Sequence, residues 1–175
     1  VDGSAPEIVL SKIQLMLDAM VSLECGMGKT PFFNDSADRI AKECKTLEKA
    51  CKKLFGFKPV KRKSFPDAGY YKFYDGDAAI LFDAGEPGPS YMLGHAHCDT
   101  LSFEVSVYGA SLFVNSGTYA YQSAMRSYFR STAAHNTAMI GNREQMECWG
   151  EHRVGRLIKD VSCSCEGDVF RGSYR

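Results

Sequence analysis

The chain has 175 residues, 45% of them hydrophobic and 24% charged, with 21 Lys+Arg against 21 Asp+Glu. Such a composition excludes a disordered chain and supports a domain with its own core. The zero net charge excludes the basic excess of a general nucleic-acid or membrane-surface binder, yet a few clustered arginines can still meet an acidic ligand inside a neutral total.

No apolar run approaches the ~20 residues that span a bilayer, and no signal peptide is visible at the start. The first third reads as helix. Ser4 to Glu7 has the S-x-x-E form of a capping box, with Pro6 tolerated in the first turn. Val9, Ile13, Met16, Leu17 and Met20 follow at helical spacing, and Gly26 offers a stop. A loop through Pro31 to Asp35 leads to a second helix, capped by Asp35 or Ser36, with the stripe Ile40, Cys44, Leu47, Cys51 and Leu54 closed by Gly56. The lysines from Lys42 to Lys53 make a solvated face. Two helices with a short link predict an antiparallel hairpin that leaves apolar surface to be covered by further helices.

The basic stretch Lys58 to Lys63 reads as a linker between a helical segment, 1–57, and a strand-rich segment, 64–175. Tyr70 to Tyr74 and Ala78 to Phe82 flank Asp75-Gly76, a short-range hairpin signal. Leu101 to Val107 and Ser111 to Val114 flank Tyr108-Gly109, and the alternation of Leu101, Phe103, Val105 and Val107 predicts one buried face. Further strands are expected over Asn136 to Ile140, ending at Gly141-Asn142, then Val154 to Val161 and Val169 to Tyr174. The predicted class is α+β: a helical hairpin followed by an antiparallel β-sandwich. Both ends have the look of cuts, so the chain is expected to be a piece of something larger.

Three of the four histidines lie in two short segments, Gly94-His95-Ala96-His97-Cys98-Asp99 and Ala134-His135-Asn136-Thr137. His-x-His on extended backbone points both rings to one face, where Asp99 would join them. Imidazoles with an oxygen ligand suit Zn²⁺. A lone histidine is more often a hydrogen-bonded structural residue, but this doublet with a third His beside a strand favours a metal. The H-x-H-x-D-H pattern of metallo-β-lactamases fails at Thr100, and the H-x-H of amidohydrolases belongs to a β/α barrel that a strand-rich chain cannot build. The seven cysteines are an odd number with no CxxC pair, which argues against a four-cysteine zinc site and toward a reducing compartment.

From about Pro31 onward the sequence resembles the heparinase II/III-like family of polysaccharide lyases. Phe65-Pro66-Asp67-Ala68-Gly69-Tyr70 is similar to the family's sandwich entry strand, and Gly94 to Glu104 to its G-H-x-H-x-D-x-L-S-F-E signature. Leu112 to Tyr119 is similar to L-L-V-D-x-G-T-Y, and Arg130 to Thr137 matches R-S-T-x-x-H-N-T. Gln145 to Gly150 resembles Q-x-x-x-W-G, and Phe33 to Asp38 resembles a worn G-D-S-D-D loop. The motifs occur in the family's order.

The resemblance implies a two-part lyase, an (α/α) toroid followed by a sandwich, with the helical hairpin as the end of the toroid. It implies His95 as the catalytic-site histidine and His97, the residue at 115 and His135 as ligands of Zn²⁺. Position 115 is Asn rather than Asp, which weakens the site because a neutral carbonyl binds Zn²⁺ poorly. The implied chemistry is β-elimination from a uronic-acid polysaccharide, with the partner residues of His95 upstream of residue 1, so that the isolated chain is expected to be inactive.

Arg126 and Arg130 are candidates to pair with substrate carboxylates or sulfates, set against structural ion pairing. Trp149 is a candidate to stack on a sugar, set against a place in the core. Tyr119, Tyr121 and Tyr128 are candidates to supply a hydroxyl, and His152 is expected to face solvent. The competing reading is a non-catalytic glycan-binding or structural sandwich, motivated by Asn115 and the worn Asp35 loop, and a third is metal-dependent hydrolysis. The expected partner is an acidic polysaccharide. The resemblance points to the periplasm or cell envelope, the cysteines to the cytoplasm.

Overall fold

The computed structural model describes residues 6–175. Ser4 of the expected capping box lies outside them. Helix α1 (Glu7–Leu23) starts behind Pro6, whose fixed φ suits a helix entry, and packs against α2 (Cys44–Phe55). Gly56 ends α2 in the left-handed conformation, its N–H capping the Lys52 carbonyl at 3.0 Å. Only the second half of α1 is buried, through Leu17, Asp18, Val21 and Ser22. Ile8, Val9 and Met16 on α1, and Leu47 and Leu54 on α2, are exposed, so the pair does leave apolar surface uncovered.

The second helix does not begin at Asp35 or Ser36. Asn34 and Arg39 sit at φ 49° and 63°, which no helix accommodates, and Asp35 is drawn into the functional site instead. The helix therefore starts behind Glu43, and Ile40, expected on its stripe, lies exposed in the loop.

A five-stranded antiparallel sheet follows in sequence order: β1 (Ser64–Phe65), β2 (Tyr70–Asp75), β3 (Ala78–Asp83), β4 (Ser102–Val107) and β5 (Ala110–Phe113). Both expected hairpins form. Asp75 pairs with Ala78 around Gly76, and Val107 pairs with Ala110 around Tyr108 and Gly109, both at positive φ, as a tight two-residue turn requires. β8 (Ser162–Glu166) and β9 (Val169–Ser173) make a further hairpin, and β6 (Cys148–Trp149) pairs with β7 (Arg153–Val154). The class is α+β.

The buried face of β4 is the opposite of the expected one. Ser102, Glu104 and Ser106 are buried, while Phe103, Val105 and Val107 are half-buried. The reason lies in what covers each face. The face carrying Lys72, Leu81 and Glu104 in register lies under the end of α1 and the loop after it, where Cys25, Phe33 and Leu81 form a core. Lys72 Nζ there donates to the carbonyls of Ser22 and Glu24, so a buried ammonium closes the end of the helix. The other face is aromatic: Tyr71, Phe73 and Phe82 meet Phe170 of β9, which stacks on Phe82 at 4.4 Å, and Phe82 also meets Phe103 of β4.

Two expected strands are not formed as such. Asn136 to Ile140 contributes only a bridge from Ile140 to Arg143 around Gly141-Asn142; towards β4 the segment has one backbone bond, from Phe103 N to the Asn136 carbonyl at 3.3 Å, and otherwise attaches through Asn136 Nδ2 and Thr137 Oγ1, which donate to the carbonyls of Phe103 and Thr100. Val154 to Val161 keeps strand structure only at Val154, and β8 was not foreseen. A second core of Ala96, Cys98, Met146 and Ile158 lies beneath the segment that carries the histidine doublet.

Candidate active site and metal centre

Four stretches of the chain meet at one edge of the sheet: the loop 33–36, the segment 94–99, the segment after β5, and the stretch through α3 (Arg126–Phe129) to His135. Their assembly is fastened by buried polar side chains. Glu104 Oε1 accepts from Phe32 N at 2.7 Å and from Asn115 N at 3.1 Å, holding two loops to β4. Asp99 Oδ2 accepts from Asn34 N at 2.8 Å, and Asn34 Oδ1 accepts from His97 N at 3.2 Å. Gln145 works as a surrogate strand edge, accepting from Thr100 N at 3.0 Å and donating to the Thr100 carbonyl at 3.2 Å. Thr118 N donates to the Ser36 carbonyl at 2.9 Å, an approach that Gly117 permits.

Asp35 is the centre of this assembly. Its Oδ1 accepts from Thr118 Oγ1 at 2.6 Å, from His97 Nε2 at 2.7 Å and from Arg126 Nη1; its Oδ2 accepts from His95 Nδ1 at 2.7 Å and Arg126 Nη2 at 3.1 Å. Burial by itself would raise this carboxyl. The hydrogen bonds from His97, Arg126, Thr118 and His95 outweigh burial and hold it well below the usual carboxylate range. Asp35 is thus an ionised acceptor that keeps protons on Nδ1 of His95 and Nε2 of His97.

Behind it, His97 Nδ1 and His135 Nε2 stand 3.2 Å apart, both side chains buried. With Asp99 they form a group whose donor atoms all lie within 4.8 Å of one another and could hold a metal ion. Burial pushes the His135 imidazole below its usual value, with the Asp99 charge acting against this, so the ring is neutral and keeps a lone pair. Asn115, named by the resemblance as a ligand, places Oδ1 at 3.3 Å from His135 Nδ1, on the far edge of that ring from His97. Asn136 N donates to the same oxygen at 3.1 Å.

His95 is the outward member of the doublet, its side chain 61% exposed. Beside it stand Tyr121, ring centroids 6.0 Å apart, and His152, at 6.2 Å. Arg126 lies over the Tyr121 ring at 5.0 Å. Both rings of the doublet meet the Asp35 carboxylate, whereas Asp99, expected to join the two, groups with His97 and His135 and not with His95. Arg126 and Arg130, candidates for substrate contact set against structural pairing, are both buried. Arg126 is spent on Asp35, Thr118 and the Glu151 carbonyl, and Arg130 donates to the carbonyls of Ala96 and Gly150. Their forks hold the site together and do not face solvent. Trp149 is half-exposed on β6 with Arg153 stacked over it at 4.7 Å, and Tyr119 is exposed next to Phe129; neither has a described contact with His95. A concavity of about 590 Å³ lined by Asp67, Pro87, Leu93 and Ile158 includes none of the site residues.

Sequence reasoning missed the role of Asp35, because an Asp before a helical pattern reads equally well as a cap. It missed Thr118 for want of any signal beyond its motif. His152 is exposed, as expected, but it belongs to the rim of the site, a position that only the packing of β6 and β7 beside Gly94 creates.

The sequence profile of the heparinase II/III-like C-terminal domain matches residues 58–172. The chain belongs to that family. Its fold is similar to the heparinase III BT4657 gene product, at TM-score 0.66 and 22% identity over 97% of this chain and 31% of that one. It is also similar to the heparan sulfate lyase HepC from Pedobacter heparinus, at TM-score 0.69 and 18% identity over 97% and 29%. A further solved heparinase III aligns at TM-score 0.63 and 17% identity over 92% and 29%. The chain thus spans under a third of the length of these solved proteins. No curated protein matches it.

Proposed function

We propose that this chain is the C-terminal part of a lyase that cleaves acidic, uronate-containing polysaccharides by β-elimination, with residues 1–57 as the end of a helical toroid and 64–175 as its sandwich. The observation that carries this reading is the His95–Asp35 pair. A buried, ionised carboxylate holds Nδ1–H, so the exposed edge of His95 presents Nε2 to whatever lies outside. An imidazole so oriented takes or gives a proton at Nε2. Elimination from a uronate needs the sugar carboxylate neutralised, the C5 proton removed and the departing C4 oxygen protonated. His95 can serve the first or the last of these, with Tyr121 beside it as a hydroxyl.

The buried imidazole pair with a carboxylate is a donor set that fits Zn²⁺, which when bound would fix the two rings and supply positive charge beneath His95. The substrate class follows from the heparinases and the heparan sulfate lyase that share this fold, and the periplasm or cell envelope is the compartment where such polymers are met. The worn loop that suggested a non-catalytic sandwich retains Asp35, the residue on which the site is centred, and this favours the lyase.

The test is turnover by the full-length protein on heparan sulfate, other glycosaminoglycans and alginate, read as ultraviolet absorbance of the unsaturated uronate product. His95→Ala should lower the rate by about 10²–10⁴-fold, the range for a lost acid–base group. Glycan binding without product would instead make the chain part of a binding protein. A saturated product lost on chelation would indicate hydrolysis.

A further inference from the structure

We propose that the oxygen ligand of the metal centre is Asp99, and that Asn115 orients His135 from behind without touching the ion. This rests on the reading of the buried imidazole pair as a metal site. It differs from what the resemblance implies, where position 115 supplies the oxygen.

The argument begins with the protons. His97 Nε2 faces the carboxylate of Asp35 at 2.7 Å, an acceptor only, so Nε2 carries the hydrogen and Nδ1 is a lone pair. His135 Nδ1 faces Asn115 Oδ1 at 3.3 Å, and that atom is fixed as the oxygen because Asn136 N donates to it. Nδ1 of His135 therefore carries its hydrogen, and Nε2 is also a lone pair. Each ring donates its outer N–H to an oxygen, the arrangement that orients metal-bound histidines. The two inner lone pairs then confront one another at 3.2 Å, which nothing but a shared cation or proton can stabilise. Two nitrogens bound tetrahedrally to Zn²⁺ at ~2.0–2.1 Å lie about 3.3 Å apart, so this spacing already suits the ion. The other assignment, with His135 Nε2–H donating to the Phe129 carbonyl at 3.0 Å, would set the Nδ1 lone pair against Asn115 Oδ1 at 3.3 Å; either tautomer leaves one lone pair facing an oxygen, and a cation between the rings is what selects the first.

A second, independent observation concerns Asp99. It is 3% exposed, and no Lys, Arg or His nitrogen pairs with it within 4.0 Å among the described residues. A buried carboxylate without a counter-charge is costly. One of its oxygens is occupied by Asn34 N, which leaves the other for an ion. One carboxylate oxygen of Asp99 already lies within 4.8 Å of a ring nitrogen of each histidine. Asn115 stands on the wrong edge of the His135 ring to reach the same point, and its oxygen is engaged by backbone. The loss of a carboxylate at 115 is thereby met by one two residues beyond His97.

Cobalt(II) titration of the metal-stripped full-length protein, followed by visible absorption, tests this independently of any lyase assay. The wild type should bind one equivalent, and Asp99→Asn, which keeps the acceptor for Asn34 N, should weaken binding at least 100-fold. Asp99→Cys should give a thiolate-to-cobalt charge-transfer band in the near ultraviolet, and Asn115→Cys should give none. A band from Asn115→Cys, Asp99→Asn binding as well as wild type, or a wild type that takes up no cobalt would each overturn the assignment. If Asp99→Asn fails to fold by circular dichroism, the two cysteine variants decide. Cobalt binding without turnover of any uronate polymer would sink the lyase reading and leave this one standing.

Discussion

The carboxylate of Asp35 holds the His97 ring through Nε2 at 2.7 Å while its other oxygen holds His95 at the same distance, so one buried acid sets the tautomers of both histidines. Arg126, 2% exposed, is its counter-charge. Asp35→Ala would leave that guanidinium buried and unpaired, a loss of about 3–5 kcal/mol in stability. Asp35→Asn keeps the shape but not the charge, and should lower activity or metal affinity about 10–100-fold, as for other residues that orient a metal-bound histidine. The sign of the pH effect follows from the depressed carboxyl: its stabilisation is fully present above the unfolded value of about 4 and is lost as pH falls below it. Urea unfolding between pH 3 and 6 should show this loss in the wild type and a flatter profile in Asp35→Asn.

Asp83 behaves in the opposite way. Burial, with the charge of Asp99 adding to it, pushes this carboxyl up to about 7, against a single hydrogen bond from Gly85 N at 3.1 Å. The folded state therefore holds a proton that the unfolded chain releases above about pH 4, and stability falls as pH rises from 4 through 7. Asp83→Asn keeps the acceptor for Gly85 N and removes the titration. It should be more stable than wild type at pH 8 by roughly 2–4 kcal/mol and nearly equal to it at pH 4. Equal stabilities at both pH values would refute the assignment of this slope to Asp83.

The pieces of the site were legible because short motifs carried them: the His95–His97 doublet, Asp99 and His135 are visible as residue types at fixed spacing. What could not be read was direction. Arg126 and Arg130 sit in a motif and look like anion-binding forks, yet both are buried: Arg126 against the Asp35 carboxylate, Thr118 Oγ1 and the Glu151 carbonyl, Arg130 against the carbonyls of Ala96 and Gly150. The hairpins at Gly76 and Tyr108-Gly109 were readable from turn chemistry, a local property. The buried face of β4 was not, since Phe103 and Val105 look like the core face of an isolated sheet. Which side is buried depends on the loop from α1, which brings Cys25 and Phe33 onto Leu81, Glu104 and their neighbours. Asp35 failed for the same reason, its cap-like position being local and its histidine partners 60 and 62 residues away.

Glu104 ties two loops through one oxygen, accepting from Phe32 N and Asn115 N, and burial raises its carboxyl against those bonds. Replacement by Gln preserves an acceptor at Oε1 and should cost little. Glu104→Ala leaves two buried N–H groups unsatisfied, at about 1–3 kcal/mol each. Thermal unfolding should thus place Glu104→Gln near the wild type and Glu104→Ala well below it. A Gln variant as damaged as the Ala variant would mean that the charge, and not the acceptor, is what β4 requires.

Gly117 is where the loop carrying Asp35 lies against the segment carrying Thr118. Its φ is 54°, and a Cβ there would collide with the Ser36 carbonyl that accepts from Thr118 N. The obstacle is backbone, so no side-chain rotation relieves it, and a left-handed φ adds strain for any other residue. Gly117→Ala should destabilise the protein by roughly 1–3 kcal/mol and also shift Asp35 away from Thr118 and His97. The second effect separates this glycine from one that only closes a turn: at a temperature where the variant is fully folded, turnover should still fall about tenfold or more, as a displacement of an orienting group by an ångström does. Gly109→Ala serves as the control, since its φ of 75° imposes comparable strain while nothing lies within 4 Å of its added Cβ. It should lose stability and keep its activity, and equal activity losses in the two variants would show that strain alone, rather than the seating of Asp35, governs the site.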